Sequence, residues 1–197
     1  MPCLIWCMIL RQKLTRLNEG AIEMVVYLIG MMGSGKTTLG KKVSDQLNCP
    51  WVDLDQFIEK TTGVTTSKYI QEYGIDHFRV VEAECLKQLN IRPLIVSCGG
   101  GTILSEGNVR FMKSQGFVVY LKCQVDTLVK RLQKTDLTTR PLLQGDALRE
   151  RLMTLEKERE DCYEKAAHTT IICDQKSIDE VCEELILFIN SRLKHMN

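Results

Sequence analysis

Apolar positions along the chain follow two alternating patterns. Met24–Ile29 and Phe117–Leu121 are short unbroken apolar runs, and Trp51–Asp53, Leu94–Ser97 and Thr169–Cys173 are short stretches rich in apolar residues. Runs of that length, bounded by Gly, Pro or Asn, read as buried strands. Between them lie segments with helical spacing. Leu39, Val43 and Leu47 recur every four residues across Gly35–Leu47, and Asn48, Cys49 and Pro50 end that helix. Asp55 is placed to cap a short helix over Gln56–Thr61, which Thr62-Gly63 breaks. A longer run, Ser67–Leu89, carries Ile70, Phe78, Val81, Cys85 and Leu86, with Gly74 interrupting it. Further helices are predicted over Ser105–Gln115, ended by Gly116, and over Val125–Lys134, Ala147–Ala166 and Ile178–Leu193. Thr135–Asp146 is polar and reads as a mobile lid rather than core.

Strands alternating with helices specify an α/β protein. The expectation is a five-stranded parallel sheet with helices on both faces. Ligands of such sheets bind beyond the carboxyl ends of the strands. No repeat, low-complexity tract or Pro/Ser-rich linker divides the chain, so residues 24–197 are expected to be one domain. Residues 1–23 stand apart: ten apolar residues come first and basic ones follow. A secretory signal has the opposite order. The segment reads as an extension outside the core, either a loose helix or a start-site artefact; the alternative is a membrane-surface or partner helix.

Composition narrows the function classes. The 197 residues are 44% apolar and 26% charged, and 26 basic against 25 acidic side chains leave a net charge of +1. No basic field points to nucleic acid and no apolar run is long enough to span a membrane. Nine cysteines, at 3, 7, 49, 85, 98, 123, 162, 173 and 182, include no C-x-x-C pair, and none lies at metal-ligand spacing from the three histidines. They are expected to be reduced and mostly buried, as in a cytoplasmic protein.

The chemistry begins after the first strand. Gly30-Met31-Met32-Gly33-Ser34-Gly35-Lys36-Thr37 fits G-x-x-x-x-G-K-[ST], a phosphate-binding loop between a strand and a helix. Its glycines allow backbone N–H groups to face a polyphosphate, at the positive end of the following helix. Lys36 is positioned for the β and γ phosphates and the Thr37 hydroxyl for Mg²⁺. Neither the D-x-x-G and N-K-x-D segments of a GTPase nor the S-G-G-Q of an ABC ATPase is present, which favours a small-molecule kinase. Asp53 is placed to hold Mg²⁺ through water, and Asp55 to face an incoming hydroxyl; the alternative is that both cap a helix. Gly99-Gly100-Gly101 follows the third strand and permits close approach of a substrate to the backbone. Arg140, in the expected lid, would neutralise charge on the transferring phosphoryl group.

Taken in order, GMMGSGKTT (30–38), VDLDQFIE (52–59), FRVVE (78–82), CGGGT (98–102), TRPLL (139–143) and Arg159 four residues before Tyr163 resemble shikimate kinases over residues 24–194. The resemblance implies the three-layer P-loop NTPase fold of nucleoside monophosphate kinases, with a mobile lid at about 135–146. It implies ATP-dependent phosphorylation of the 3-hydroxyl of shikimate, in the pathway to chorismate and the aromatic amino acids. It assigns Gly33, Ser34, Gly35, Lys36, Thr37 and Thr38 to ATP, and Arg131 and Asp174–Ser177 to its base. It gives Lys36, Asp55 and Arg140 catalytic roles, and Asp55, Arg79, Gly100, Gly101 and Arg159 to shikimate. The two arginines would grip the carboxylate. Mg²⁺ would be held by Thr37 directly and by Asp53 through water. It also implies a monomer in the cytoplasm whose partners are small molecules. The chain departs from the family pattern in Gly74-Ile75-Asp76-His77, where an acidic residue would directly follow Gly74, and at Thr66, Ile70 and Asp161-Cys162. Gluconate kinase, which shares the loop, and a catalytically silent nucleotide-binding module are the competing readings.

Overall fold

A computed structural model describes residues 24–134 and 146–194. Its strands are β1 (Val25–Ile29), β2 (Trp51–Asp53), β3 (Leu94–Ser97), β4 (Gly116–Lys122) and β5 (Thr169–Ile172). All pair in parallel, in the order β2-β3-β1-β4-β5. The helices are α1 (Lys36–Leu47), α2 (Leu54–Thr62), α3 (Thr66–Gln88), α4 (Glu106–Gln115), α5 (Val125–Gln133), α6 (Asp146–Ala166) and α7 (Ile178–Lys194), with a 3₁₀ turn at Thr102–Leu104.

Burial explains the strand composition. Every residue of β1 and β3 is buried, because helices cover both faces of the sheet and neither face meets water. On one side α1 and α7 pack against each other; α4 and α6 pack against β4. Leu28 and Ile29 are fully buried at the centre of the core, where truncation to Ala costs about 2–5 kcal/mol in comparable sites. β1 lies between β3 and β4, so the connection after β1 runs to β2 on one side of it, while the connection after β3 crosses over to β4 on the other. The crevice at this switch point opens at the carboxyl end of β1, directly on the phosphate loop.

Three local predictions are corrected. The cap of α2 is Asp53, not Asp55: Asp53 keeps extended backbone (φ −92°, ψ 121°) and its side chain accepts from Gln56 N. The helix therefore starts straight off β2, with Asp55 in its first turn. Gly116 both caps α4 and opens β4, pairing with Val25; a Cβ there would overlap the Val25 carbonyl oxygen. The last strand stops at Ile172, before Cys173. Gly74 does interrupt α3, with φ 83° and ψ 164°. Seven cysteines (49, 85, 98, 123, 162, 173 and 182) are free thiols, all buried except the half-buried Cys162. Among the described residues no helix is long and apolar enough to cross a membrane.

Candidate active site

The loop after β1 turns back on itself through left-handed backbone at Gly33 and Gly35 (φ 80° and 97°), which only glycine adopts without strain. Gly35 is the N-cap of α1, and no side chain caps that helix. Its first N–H groups are therefore directed into the cleft, where an anion can receive them. Lys36 Nζ donates to the carbonyls of Gly30 (2.8 Å) and Met31 (2.9 Å), clasping the loop. Burial lowers its pKa from the ordinary lysine value, and Asp55 opposes that shift. Thr37 Oγ1 donates to Asp53 Oδ2 at 2.8 Å, while Asp53 Oδ1 accepts from Gln56 N at 3.3 Å. Asp53 thus joins the loop to the start of α2. The capping reading of this residue is seen directly, and its other oxygen stands beside the Thr37 hydroxyl.

The opposite wall of the cleft carries Asp55. Asp55 is exposed to the cleft that it lines, with protein close on its other sides. The limited solvation, then the charges of Asp53 and Glu82, push it up to about 6, and Lys36 offsets part of that rise. A Cβ built on Gly99 would lie 2.9 Å from Asp55 Oδ1, 3.2 Å from Glu82 Oε1 and 3.2 Å from Thr102 Oγ1. Gly99 is therefore the point around which these groups converge.

Arg79 is anchored from below. Its Nη1 donates to Glu82 Oε2 at 2.7 Å, and the other Glu82 oxygen accepts from Thr102 Oγ1 at 2.7 Å. Glu82 is only 1% exposed, so this ion pair is desolvated on its acidic side and its geometry is stiff. Asn108 Nδ2 in turn donates to the Thr102 carbonyl at 3.2 Å. The guanidinium sits against Gly101, in the space that a Cβ there would fill. Arg159 Nη1 and Tyr163 OH both donate to the Gly100 carbonyl, at 3.2 and 2.6 Å. The Tyr163 ring is buried and stacks on Tyr120 with centroids 4.9 Å apart. The glycine triplet thus seats two arginines on adjacent residues.

At the far end of the cleft Arg131 donates to the Ser34 carbonyl (Nη1, 3.1 Å) and to the Cys173 carbonyl (Nη2, 3.0 Å). It bolts the loop to the end of β5 while lining the cleft. Asp174 accepts from Gln124 N and Thr127 Oγ1, so its carboxylate caps α5 and does not line the cleft; Lys176, Ser177 and Ile178 do. The cleft has a volume of about 760 Å³ and runs from these residues past Gly33–Thr38 to Asp55 and Gly100.

The structure thus brings together Gly33, Ser34, Gly35, Lys36, Thr37, Thr38, Asp53, Asp55, Gly100 and Arg131 around one cleft, with Arg79, Gly101 and Arg159 at its Asp55 end. Arg140 and the expected lid segment fall outside the described residues. Glu82, Thr102, Asn108 and Tyr163 are the functional neighbours that sequence reasoning missed. The signal for two of them is helical spacing: Glu82 is three residues after Arg79, and Tyr163 four after Arg159. Two departures from the family pattern are accounted for locally. Thr66 bonds through its N–H to Glu59 Oε1 at 2.9 Å, and His77 Nδ1 is 3.0 Å from Tyr69 OH.

A family model described as shikimate kinase matches residues 32–190. A shikimate kinase of Dictyoglomus turgidum is 40% identical over 161 residues, covering 80% of this chain and 92% of that relative. A solved shikimate kinase from Acinetobacter baumannii in complex with shikimate superposes with a TM-score of 0.79 at 32% identity, covering 87% of this chain and 96% of the other. A gluconokinase from Sinorhizobium meliloti 1021 superposes with a TM-score of 0.62 at 16% identity, covering 89% and 96%, a likeness of fold alone.

Proposed function

The chain belongs to the shikimate kinase family, and from that premise we propose how its cleft moves a phosphoryl group. The reaction transfers the γ-phosphoryl group of ATP to the 3-hydroxyl of shikimate, giving shikimate 3-phosphate and ADP, with Mg²⁺, in aromatic amino acid biosynthesis. The observation that carries the residue assignment is the position of Asp55. It stands between a phosphate loop on one side and two backbone-anchored arginines on the other.

The loop N–H groups and Lys36 hold the phosphates, and Lys36 exchanges its carbonyl partners for them. Thr37 and Asp53 present a hydroxyl and a carboxylate side by side. Hard oxygen donors of this kind suit Mg²⁺ rather than a soft metal. When bound, Mg²⁺ supplies charge neutralisation across the β and γ phosphates. Arg79 and Arg159 take the shikimate carboxylate, a planar anion suited to a guanidinium fork. That contact turns the ring so that its hydroxyls reach Asp55. Asp55 accepts a hydrogen bond from the acceptor hydroxyl and takes its proton; a carboxyl pushed up to about 6 is a better base than an ordinary aspartate and is still largely ionised at neutral pH. Gly100 and Gly101 leave room for the substrate, and Arg140 supplies charge over the phosphates. Residues 24–197 act as one kinase unit, monomeric and cytoplasmic, with residues 1–23 outside it.

A coupled assay with ATP, Mg²⁺ and each of shikimate, gluconate and AMP tests the reading. ADP release is expected with shikimate. Turnover confined to gluconate or AMP would overturn it, and nucleotide binding without any turnover would make the protein a silent module.

A further inference from the structure

The phosphate loop is tied to the rest of the nucleotide site through two thiols that the transfer reaction does not use. Cys123 and Cys173 each follow their strand by one residue. The register pairs Lys122 with Ile172, so these cysteines are the next rung of the β4–β5 ladder, and Cys173 N donates to the Lys122 carbonyl at 2.9 Å. Neighbouring parallel strands lie about 4.7–4.9 Å apart, inside the ~4.4–6.8 Å Cα window that a disulfide needs. In-register side chains of parallel strands point to the same face, and the Cys173 thiol donates to the Ile171 carbonyl of its own strand at 3.5 Å.

Arg131 joins the pair to the loop. Its Nη1 serves both Cys123 Sγ (3.4 Å) and the Ser34 carbonyl (3.1 Å), and its Nη2 holds the Cys173 carbonyl. Cys123 Sγ also approaches the Ser34 carbonyl at 3.8 Å. The adjoining Cys173 thiol and the Arg131 charge lower the Cys123 pKa, while Cys173 is driven well above the usual thiol range. Cys123, with the Arg131 guanidinium 3.4 Å from its sulfur, is the better placed of the two to act as the nucleophile. Cys173 lines the cleft, which gives a small oxidant a path. Cys98 is different: its Sγ faces Met112 Sδ at 3.8 Å, with no second thiol among its hydrogen-bond partners.

We propose that Cys123 and Cys173 are a redox-sensitive dithiol whose oxidation to a disulfide weakens the nucleotide site. A peroxide is the oxidant. The Cys123 sulfur attacks one peroxide oxygen, breaking the O–O bond and becoming a sulfenic acid; the departing hydroxide takes up the proton that the Cys123 thiol gave up and leaves as water. The Cys173 sulfur then attacks the sulfenic sulfur, loses its proton and expels the hydroxyl as a second water. Two thiols lose two electrons, and the peroxide is reduced to two waters. Bonding to Cys173 draws the Cys123 sulfur out of its contact with Arg131, so Arg131 loses an acceptor and its hold on Ser34 slackens. The substrate end, at Arg79 and Arg159, is not connected to this pair.

The consequence for affinity rests on the reading of the cleft as an ATP site; the cross-link does not. The reduced full chain is treated with hydrogen peroxide with and without ATP, and non-reducing peptide mapping by mass spectrometry identifies the linked cysteines. ATP affinity is then measured by calorimetry on oxidised and reduced protein. A Cys123–Cys173 linked peptide is expected, forming more slowly with ATP present. A loss of about tenfold in ATP affinity, the size of one charge-assisted hydrogen bond, should accompany it and be restored by dithiothreitol. Cys123→Ser and Cys123→Ala, each compared with its own reduced form, should show no peroxide-dependent loss. A failure to cross-link, or a cross-link that leaves ATP affinity unchanged, overturns the proposal while the ATP site stands. Absence of ATP binding by the reduced chain overturns both.

Discussion

Gly101→Ala separates the seating of Arg79 from the stability of the fold. Gly101 has φ −111° and ψ 0°, backbone that alanine adopts without strain. A Cβ there would overlap Arg79 Nη2 and lie 2.8 Å from Cζ and 3.0 Å from Nη1. The atoms in the way are the end of a flexible side chain, so the backbone stays and the guanidinium moves. Moving it breaks the 2.7 Å bond to Glu82. Glu82 keeps its bond from Thr102, which confines the loss of folding stability to about 1–3 kcal/mol. The functional cost is the charge-assisted contact to the shikimate carboxylate, about 1.5–3 kcal/mol, or roughly 10- to 150-fold in affinity. Steady-state kinetics should therefore show KM for shikimate raised by about that factor, with KM for ATP changed little. The companion variant Gly100→Ala places its Cβ 3.7 Å from Tyr163 OH and 3.9 Å from Arg159 Nη1, ordinary contacts, and should be milder. A shikimate KM within about twofold of the parent in Gly101→Ala, well inside the loss expected for one such contact, would falsify the role given to Arg79. A parallel rise for ATP would show that the change spreads beyond the substrate end.

Other consequences follow from the same geometry. Asp55→Asn should lower kcat by about 10²–10⁴ with the thermal transition kept, since it removes the base but not the shape; near-normal turnover would refute the assignment. Because burial raises the Asp55 pKa to about 6, its ionised form is lost as pH falls through that value. kcat/KM for shikimate should fall about tenfold per pH unit below it, and a profile flat to pH 5 would sink the idea. Thr37→Val keeps the shape but removes the hydroxyl bonded to Asp53; a Mg²⁺ titration of activity should shift to higher concentration, and an unshifted curve counts against a metal contact. Gly116→Ala should act on stability instead, losing about 1–3 kcal/mol by denaturant titration, because its Cβ meets the Val25 backbone rather than a mobile side chain.

The central strands β1 and β3 were legible because a strand buried on both faces is composed almost wholly of apolar residues; the edge strands β2 and β5, partly exposed, were legible from their position between helical segments. The phosphate loop was legible because its glycines, lysine and threonine are contiguous. The cap of α2 was not. Asp53 and Asp55 are both good capping residues, and the choice between them depends on where the chain leaves β2. The partners of Asp174 were not legible either: its carboxylate accepts from the Gln124 N–H and the Thr127 hydroxyl at the start of α5, 50 and 47 residues away. Arg131 lay near the base in the sequence reading, yet its guanidinium is used by two carbonyls from distant segments.

The sequence by itself determined the order of strands and helices, the nucleotide loop and the class of anion the site receives, since these depend on residue type and local spacing. Tertiary structure decided which groups meet. Glu82 beneath Arg79, Thr102 against Glu82, Tyr163 on the Gly100 carbonyl and the Cys123–Cys173 rung beside Arg131 all join segments far apart along the chain. Parallel strands hydrogen-bonded in register, and helices packed over both faces, fix those meetings; no local pattern of residues encodes them.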